Sequence, residues 1–284
     1  MNILMITNID NDEKLEDIWL ARAFQEDGHN VAIVDKNYDE KLESIFDIFL
    51  KRNTWNSNAT IENVSEKYSF TERIIKKDLP RINFDGKYDG SDKSYLVKLF
   101  KNGYETIPTI DNLDDLKLLK NTSKYMMKRK ESYDGIGQLV LEKEELKSKF
   151  NNSYIVQPFM KFKSEVQFYY IKDKLEYVLE FIPSKVPVYP KAIKYEYNSD
   201  ELELANKFAC LNAEYYGIQR IDFIKLEDDT LLLTEIEDIS PYLDLNQVDR
   251  KTKEKFIIDY KNMVYEYMQN KNVDYNKKSL SNKT

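Results

Sequence analysis

Residues 220–237 read Arg220-Ile221-Asp222-Phe223-Ile224-Lys225-Leu226, Glu227-Asp228-Asp229-Thr230, Leu231-Leu232-Leu233-Thr234-Glu235-Ile236-Glu237. Two apolar-rich segments flanking a short polar turn predict a β-hairpin. If Leu226 pairs with Leu231, Asp222 falls opposite Glu235 and Arg220 opposite Glu237. One guanidinium and three carboxylates then leave one face at one end, and Ile221, Phe223 and Ile236 take the other. Crowded carboxylates repel unless cations lie among them, and oxygen donors on neighbouring strands suit Mg²⁺ bridging a nucleotide's phosphates, with Arg220 neutralising a transferring phosphoryl group. The same residues also suit a solvated face with cross-strand ion pairs, which a chain with 33% charged residues forms readily.

Upstream, the loop Lys128-Arg129-Lys130-Glu131-Ser132-Tyr133-Asp134-Gly135-Ile136-Gly137-Gln138 offers a complement. Gly135 and Gly137 let backbone amides turn toward phosphates, and the lysines add positive charge. A G-x-G between strands equally suits a plain hairpin turn, so this loop gains meaning only beside the carboxylates.

Working outward, Asn2 to Thr7, Glu13 to Asp27 and Val31 to Asp35 read as strand, helix and strand, with Gly28 ending the helix. A strand at Phe46 to Arg52 would deliver Arg52-Asn53-Thr54-Trp55 to the carboxyl edge of an open α/β sheet, where ligand loops gather. Arg52 and Trp55 are therefore candidates for substrate contact, against an ordinary surface loop. Asn56 to Lys77 is polar, helical or looped. After the boundary near Gly86 and Gly90 come a helix at Ser91 to Asn102 capped by Ser91 or Asp92, a short strand at Thr106 to Ile110, and a helix near Leu113 to Lys120. Strands follow at Tyr125 to Lys130, Gln138 to Leu141, from Tyr154, at Glu165 to Ile171 and at Leu175 to Phe181. An irregular segment, Pro183 to Tyr197, carries Lys185, Lys191 and Lys194. A helix to Tyr216 stopped by Gly217, the hairpin, and a helix to about Asn270 complete the reading. The division expected is 1–88, 89–157 and 158–270, with a disordered polar tail at 271–284.

Composition removes several function classes. The 284 residues exceed one comfortable core, favouring two or three packed lobes with a cleft. A net charge of -7 opposes a nucleic-acid partner, which needs a broad basic surface. No apolar run is long enough for a membrane span, and the start lacks a signal peptide, so a cytoplasmic location is expected. The lone Cys210, expected in core packing, excludes an intramolecular disulfide or cysteine cluster. The lone His29, expected in a solvated turn, removes a Ser-His or Cys-His pair and any multi-histidine metal site. Catalysis must then rest on carboxylates, lysines and arginines.

The order of these motifs resembles the ATP-grasp superfamily over roughly Ser91 to Leu245, and more loosely back to Met1. Asp92-Lys93 followed by Ile107-Pro108-Thr109 is similar to the family's Asp-Lys helix and Ile-Pro-Thr strand, and Lys128 to the lysine opening its glycine-loop strand. Both lysines are thereby implied to touch ATP phosphates. Tyr154-Ile155-Val156-Gln157-Pro158-Phe159-Met160 resembles the inter-lobe hinge. The resemblance implies backbone contacts to the adenine edge there, with apolar side chains covering its faces. It also implies a ribose contact for Glu165, Mg²⁺ ligation by Asp222, Glu235 and Glu237, and phosphate stabilisation by Arg220. The Arg52-Asn53-Thr54-Trp55, Asp92-Lys93-Ser94-Tyr95-Leu96 and Glu235-Ile236-Glu237-Asp238-Ile239-Ser240-Pro241 segments are most similar to the cycloserine-synthetase-like group. Glutathione synthetases and ribosomal-protein glutamate ligases are more distant. Glu237 stands where many relatives have asparagine, and Arg129 where proline is usual.

The resemblance implies an α/β (α+β ATP-grasp) fold: a βαβ pre-ATP-grasp lobe, then two α+β lobes clamping ATP. The expected reaction is ATP- and Mg²⁺-dependent joining of a small-molecule or peptide carboxylate to an amine through an acyl phosphate, releasing ADP and phosphate. A ureido oxygen as the activated group, a kinase stopping at the phosphorylated product, and a nucleotide-binding protein without turnover remain open. Lys194, on a segment expected to fold over the phosphates, is a candidate catalytic contact. A homodimer is the default expectation for a soluble enzyme.

Overall fold

The computed structural model describes residues 1–9, 14–54, 69–88, 92–119, 122–132, 135–183 and 191–281. Trp55, Ser91, Tyr133, Asp134 and Lys185 lie outside them. Strands β1 (Asn2–Ile6), β2 (Asn30–Val34), β3 (Ile48–Lys51) and β4 (Arg81–Ile82) make a parallel sheet in the order β2-β1-β3-β4. After Asn2, β1 is apolar because both its faces are covered. Ile3 and Met5 pack toward helix α1 (Lys14–Glu26), whereas Leu4 and Ile6 pack with Phe70 and Ile74 of α2 (Ser69–Lys76). Gly28, at φ +82°, lets the chain leave α1 for β2. His29 is half-buried rather than solvated. Its Nδ1 lies 3.1 Å from the Met1 amino group, and its ring meets Tyr265 edge-on.

A three-stranded antiparallel sheet, β6-β5-β7, follows from β5 (Lys124–Arg129), β6 (Leu139–Glu142) and β7 (Tyr154–Pro158). Helix α4 (Lys143–Lys149) covers it with Leu146, its one buried residue. The third sheet is antiparallel, in the order β10-β9-β8-β11-β12, from β8 (Ser164–Ile171), β9 (Lys174–Phe181), β10 (Ala192–Lys194), β11 (Ile218–Lys225) and β12 (Leu231–Glu237). One face packs on α3 (Ser94–Lys101) and α5 (Ser199–Ala209). Part of the other joins the α1 side of the parallel sheet and α6 (Arg250–Ser281) in one core. What that core leaves uncovered carries the candidate site.

Several local expectations change. Thr106 to Ile110 is not a strand: Thr106 bridges Leu233 and Ile110 bridges Val156, so the segment ties two sheets together. Pro108 between them has no N–H to give a ladder. The Leu113 helix is a 3₁₀ segment, Leu113–Leu118. Helix α5 ends at Ala209 before a 3₁₀ turn at Cys210–Asn212, and Cys210 is exposed rather than in the core. Gly217 instead makes room for Tyr215, whose ring atoms would lie 2.6–2.7 Å from an added Cβ. Helix α6 runs past Asn270 to Ser281, where a disordered tail was expected.

Candidate functional site

The hairpin forms, by a different route from the one its sequence suggests. Near the turn Lys225 pairs with Leu231 and Phe223 with Leu233, one residue out of the expected register. A bulge at Thr234 absorbs the difference, restoring Asp222 opposite Glu235 and Arg220 opposite Glu237. The Thr234 hydroxyl, donating to the Asp222 carbonyl at 2.9 Å, fixes the bulge.

Arg220 grips Asp222 with two parallel bonds, Nε to Oδ1 and Nη2 to Oδ2, each 2.8 Å, and reaches Glu237 Oε1 at 2.7 Å. Such bidentate pairs set direction as well as charge. Lys93, at the start of α3, forms an ion pair with Glu235. Two contacts set its position. The Ile236 amide donates to the Tyr95 hydroxyl at 2.9 Å, and the Lys93 amide donates to the Lys130 carbonyl at 3.0 Å, joining the end of β5 to the start of α3. The side chain of Asp92, one of the two expected caps, accepts from the Ser94 amide at 2.8 Å.

Electrostatics bind these groups into one cluster. Burial pushes the Lys128 ammonium below the usual lysine range, and Lys93 adds to the shift against Glu235 and Glu165. Glu165 is raised by desolvation and then by Asp222. Burial raises Asp222 against the pull of Arg220. Burial acts to raise Glu235 also, but Lys93, Lys128 and Arg220 outweigh it, and its carboxyl is held low. Lys93 just before α3, Lys128 of β5, Glu165 of β8, Arg220 and Asp222 of β11, and Glu235 and Glu237 of β12 are thus brought together. Among the described residues no three His, Cys, Asp or Glu side chains converge as a metal-ready group. In this arrangement Arg220 and Lys93 occupy the carboxylates.

Other predicted residues are placed differently. Gly135 and Gly137 adopt φ +70° and +75°, and the Gln138 amide closes a turn on the Gly135 carbonyl at 3.2 Å. Gln157 is buried and donates to Thr109 Oγ1 at 2.9 Å, so its side chain braces the hinge from inside. Phe159 is exposed and Met160 half-buried, both open to a ligand. Lys194 lies in one transverse row with Leu179, Gln167, Asp222 and Glu235. Three strand spacings separate it from Asp222, about 14 Å, and its ammonium pairs with Glu196 in solvent at 2.7 Å. Arg52 is buried, bonded to Asp17 at 2.9 Å and to the Pro241 carbonyl at 3.1 Å, rather than presented to a substrate.

Sequence reasoning missed Gln167 and Tyr169. Gln167 stands beside Asp222 in that row, and Tyr169 faces Arg220, whose guanidinium lies 6.0 Å from its ring centre. The signal was alternation: Glu165, Gln167 and Tyr169 share one face of a strand next to the hairpin.

Solved structures of similar fold include the following three. D-cycloserine synthetase matches at 16% identity and TM-score 0.70, with 92% of this chain and 100% of that chain covered. The chain has the ATP-grasp fold. The Bacillus anthracis D-alanine–D-alanine ligase complexed with ATP matches at 15% identity and TM-score 0.66, covering 97% and 99%. A RiPP-associated ATP-grasp ligase of Chryseobacterium gregarium, complexed with ADP and a leader and core peptide, matches at 13% identity and TM-score 0.62, covering 91% and 96%. No family model matches the sequence, and no curated protein matches it. At these identities the ATP-grasp likeness is one of fold. Among the described residues no helix is long and apolar enough to cross a membrane.

Proposed function

We propose that the protein is an ATP-dependent ligase that phosphorylates a carboxylate and joins it to an amine. The observation that carries this reading is the meeting of Lys93, Lys128 and Arg220 with Asp222, Glu235 and Glu237 in one charged cluster of an ATP-grasp fold. The donor set suits Mg²⁺, being three carboxylates on adjacent strands with no sulfur or imidazole. Asp222, Glu235 and Glu237 would hold it, and bound Mg²⁺ would offset the negative charge of the β- and γ-phosphates. With the carboxylates so engaged, Lys93 and Arg220 would be free to meet phosphate oxygens. Burial of Lys128, which penalises its charged form, favours an incoming anion for the same reason. Glu165 reaches the ribose, and Phe159 and Met160 cover the adenine.

In this mechanism the substrate carboxylate attacks the γ-phosphorus and ADP leaves. The amine then attacks the acyl carbon, phosphate departs, and the amine proton passes to solvent. Arg220 holds the charge that develops on the transferred group, so catalysis is by position and electrostatics rather than by a protein nucleophile. The solved structures of similar fold include a D-cycloserine synthetase, a D-alanine–D-alanine ligase and a ligase complexed with a leader and core peptide, and the substrate proposed here is of that range, a small molecule or peptide. Incubation with MgATP and panels of carboxylates and amines should release ADP and phosphate together. Tight MgATP binding with no ADP from any pair would overturn the reading, and phosphate retained on the substrate would convert it to a kinase.

A further inference from the structure

The segment that follows β12, Pro241 to Leu245, is held from two sides. From the parallel sheet and α1, Arg52 Nη2 donates to the Pro241 carbonyl at 3.1 Å. Glu16 accepts from the Leu243 amide at 3.0 Å and the Leu245 amide at 2.7 Å. Arg52 is itself steered by Asp17, whose other oxygen accepts from Thr7 Oγ1 at 2.5 Å. From the five-stranded sheet, Tyr177 donates to the Leu243 carbonyl, and the Tyr169 hydroxyl lies 2.8 Å from Asp244 Oδ2. Between these anchors the Tyr242 carbonyl accepts from Arg220 Nη1 at 3.3 Å. Glu16, Arg52, Leu243 and Leu245 are all buried, so water does not replace a lost partner at low cost.

We infer that Glu16 and Arg52 are positioning residues for Arg220, acting through the Pro241–Leu245 segment. The N-terminal lobe thereby sets the guanidinium that the ligase reading assigns to the transferred phosphoryl group, and this inference rests on that reading. Asp222 and Glu237 accept three bonds from Arg220, and the Tyr242 carbonyl accepts a fourth, from Nη1. Were the two carboxylates to turn to a metal, the Tyr242 carbonyl, beside the Tyr169 ring, would remain to aim the side chain. A shift of the segment therefore alters contact with the third phosphate and leaves the first two phosphates alone.

The test compares affinity for MgADP with affinity for the magnesium complex of the β,γ-imido analogue of ATP, by calorimetry on the full chain. Variants are Glu16→Gln, which leaves one backbone N–H facing an amide NH₂, the shorter Glu16→Asp, and Arg52→Lys. Ile74→Ala, in the core beneath the far face of the parallel sheet, controls for stability alone. The wild type is expected to prefer the analogue. The Glu16 and Arg52 variants should keep MgADP affinity and lose about tenfold of that preference, and adding Arg220→Lys should cost nothing more. Ile74→Ala should lower the melting temperature without moving the ratio. An unchanged preference in the folded Glu16 and Arg52 variants, full additivity with Arg220→Lys, or a wild type without preference would each overturn the inference while leaving nucleotide binding intact. A wild type that binds neither nucleotide would instead sink the ligase reading on which it rests.

Discussion

Replacing Gly86 by alanine tests how tightly the end of the hairpin is held. A Cβ at this position would lie 2.5 Å from Asp238 Oδ1, 2.6 Å from Ile239 Cγ1 and 2.7 Å from Asp238 Cγ. The backbone there is outside the left-handed region, so the effect is steric. Asp238 has nowhere to retreat. It has no solvent exposure, and its Oδ2 accepts from the Lys87 amide at 2.7 Å, the Tyr88 amide at 3.0 Å and Asn212 Nδ2 at 2.8 Å. Making room means stretching at least one bond to a buried carboxylate, about 1.5–3 kcal/mol, on top of an overpacking cost of about 1–3 kcal/mol. The sum, roughly 2.5–6 kcal/mol, corresponds to a fall in melting temperature on the order of 10 °C. Since Asp238 directly follows Glu237, MgATP should also stabilise the variant less than it does the wild type. Thermal unfolding with and without MgATP measures both. A Gly86→Ala protein melting within about 1 °C of the wild type would refute the packing argument.

Further expectations follow from the same contacts. Burial carries the Glu16 carboxyl up to about 8, well above the ordinary carboxylate range. The folded state therefore binds the extra proton, so this stabilisation is complete below about 4.5 and lost as pH rises through about 8, an effect on the order of 5 kcal/mol. Urea midpoints of the wild type should fall between pH 5 and 8, and Glu16→Gln should flatten that slope; parallel slopes would reject the assignment. Lys93→Ala removes the cation paired with Glu235 and should destabilise the protein by about 1–3 kcal/mol, whereas Lys93→Ala with Glu235→Gln should lose less than the two singles together. Additive losses in urea melts would show that the pair is not coupled. Lys194→Ala should leave MgADP affinity within about twofold, because its ammonium sits three strands from Asp222; a large loss would mean that the edge strand moves onto the nucleotide.

The parts of this fold that could be read from sequence are those whose signal is local. Ile3 to Ile6 is uniformly apolar because it is covered on both faces, and the alternation of Arg220 and Asp222 with Ile221 and Phe223 announces a strand with one chemical face. The hairpin's register at its functional end was legible only because the Thr234 bulge cancels a slip nearer the turn. Helix α4 escaped notice because a single buried leucine gives no periodicity, and β10 because it lies in a proline-rich segment. Arg52 looked like a ligand residue by its place at a strand's carboxyl edge. That edge abuts Asp17 and Pro241, and their bonds to Arg52 cross 35 and 189 residues, beyond what spacing reveals. Gln167 and Tyr169 depended on knowing that β8 lies beside β11, a non-local pairing.

The most direct test of the central claim is thermal unfolding of the wild type and of Asp222→Asn combined with Glu235→Gln, each with and without MgATP. At about a hundred times its dissociation constant, a ligand stabilises the folded state by roughly 2.7 kcal/mol. The account predicts that MgATP raises the melting temperature of the wild type and leaves that of the double variant unmoved. Equal stabilisation of both would contradict the assignment of the hairpin carboxylates, and stabilisation of neither would contradict nucleotide binding altogether.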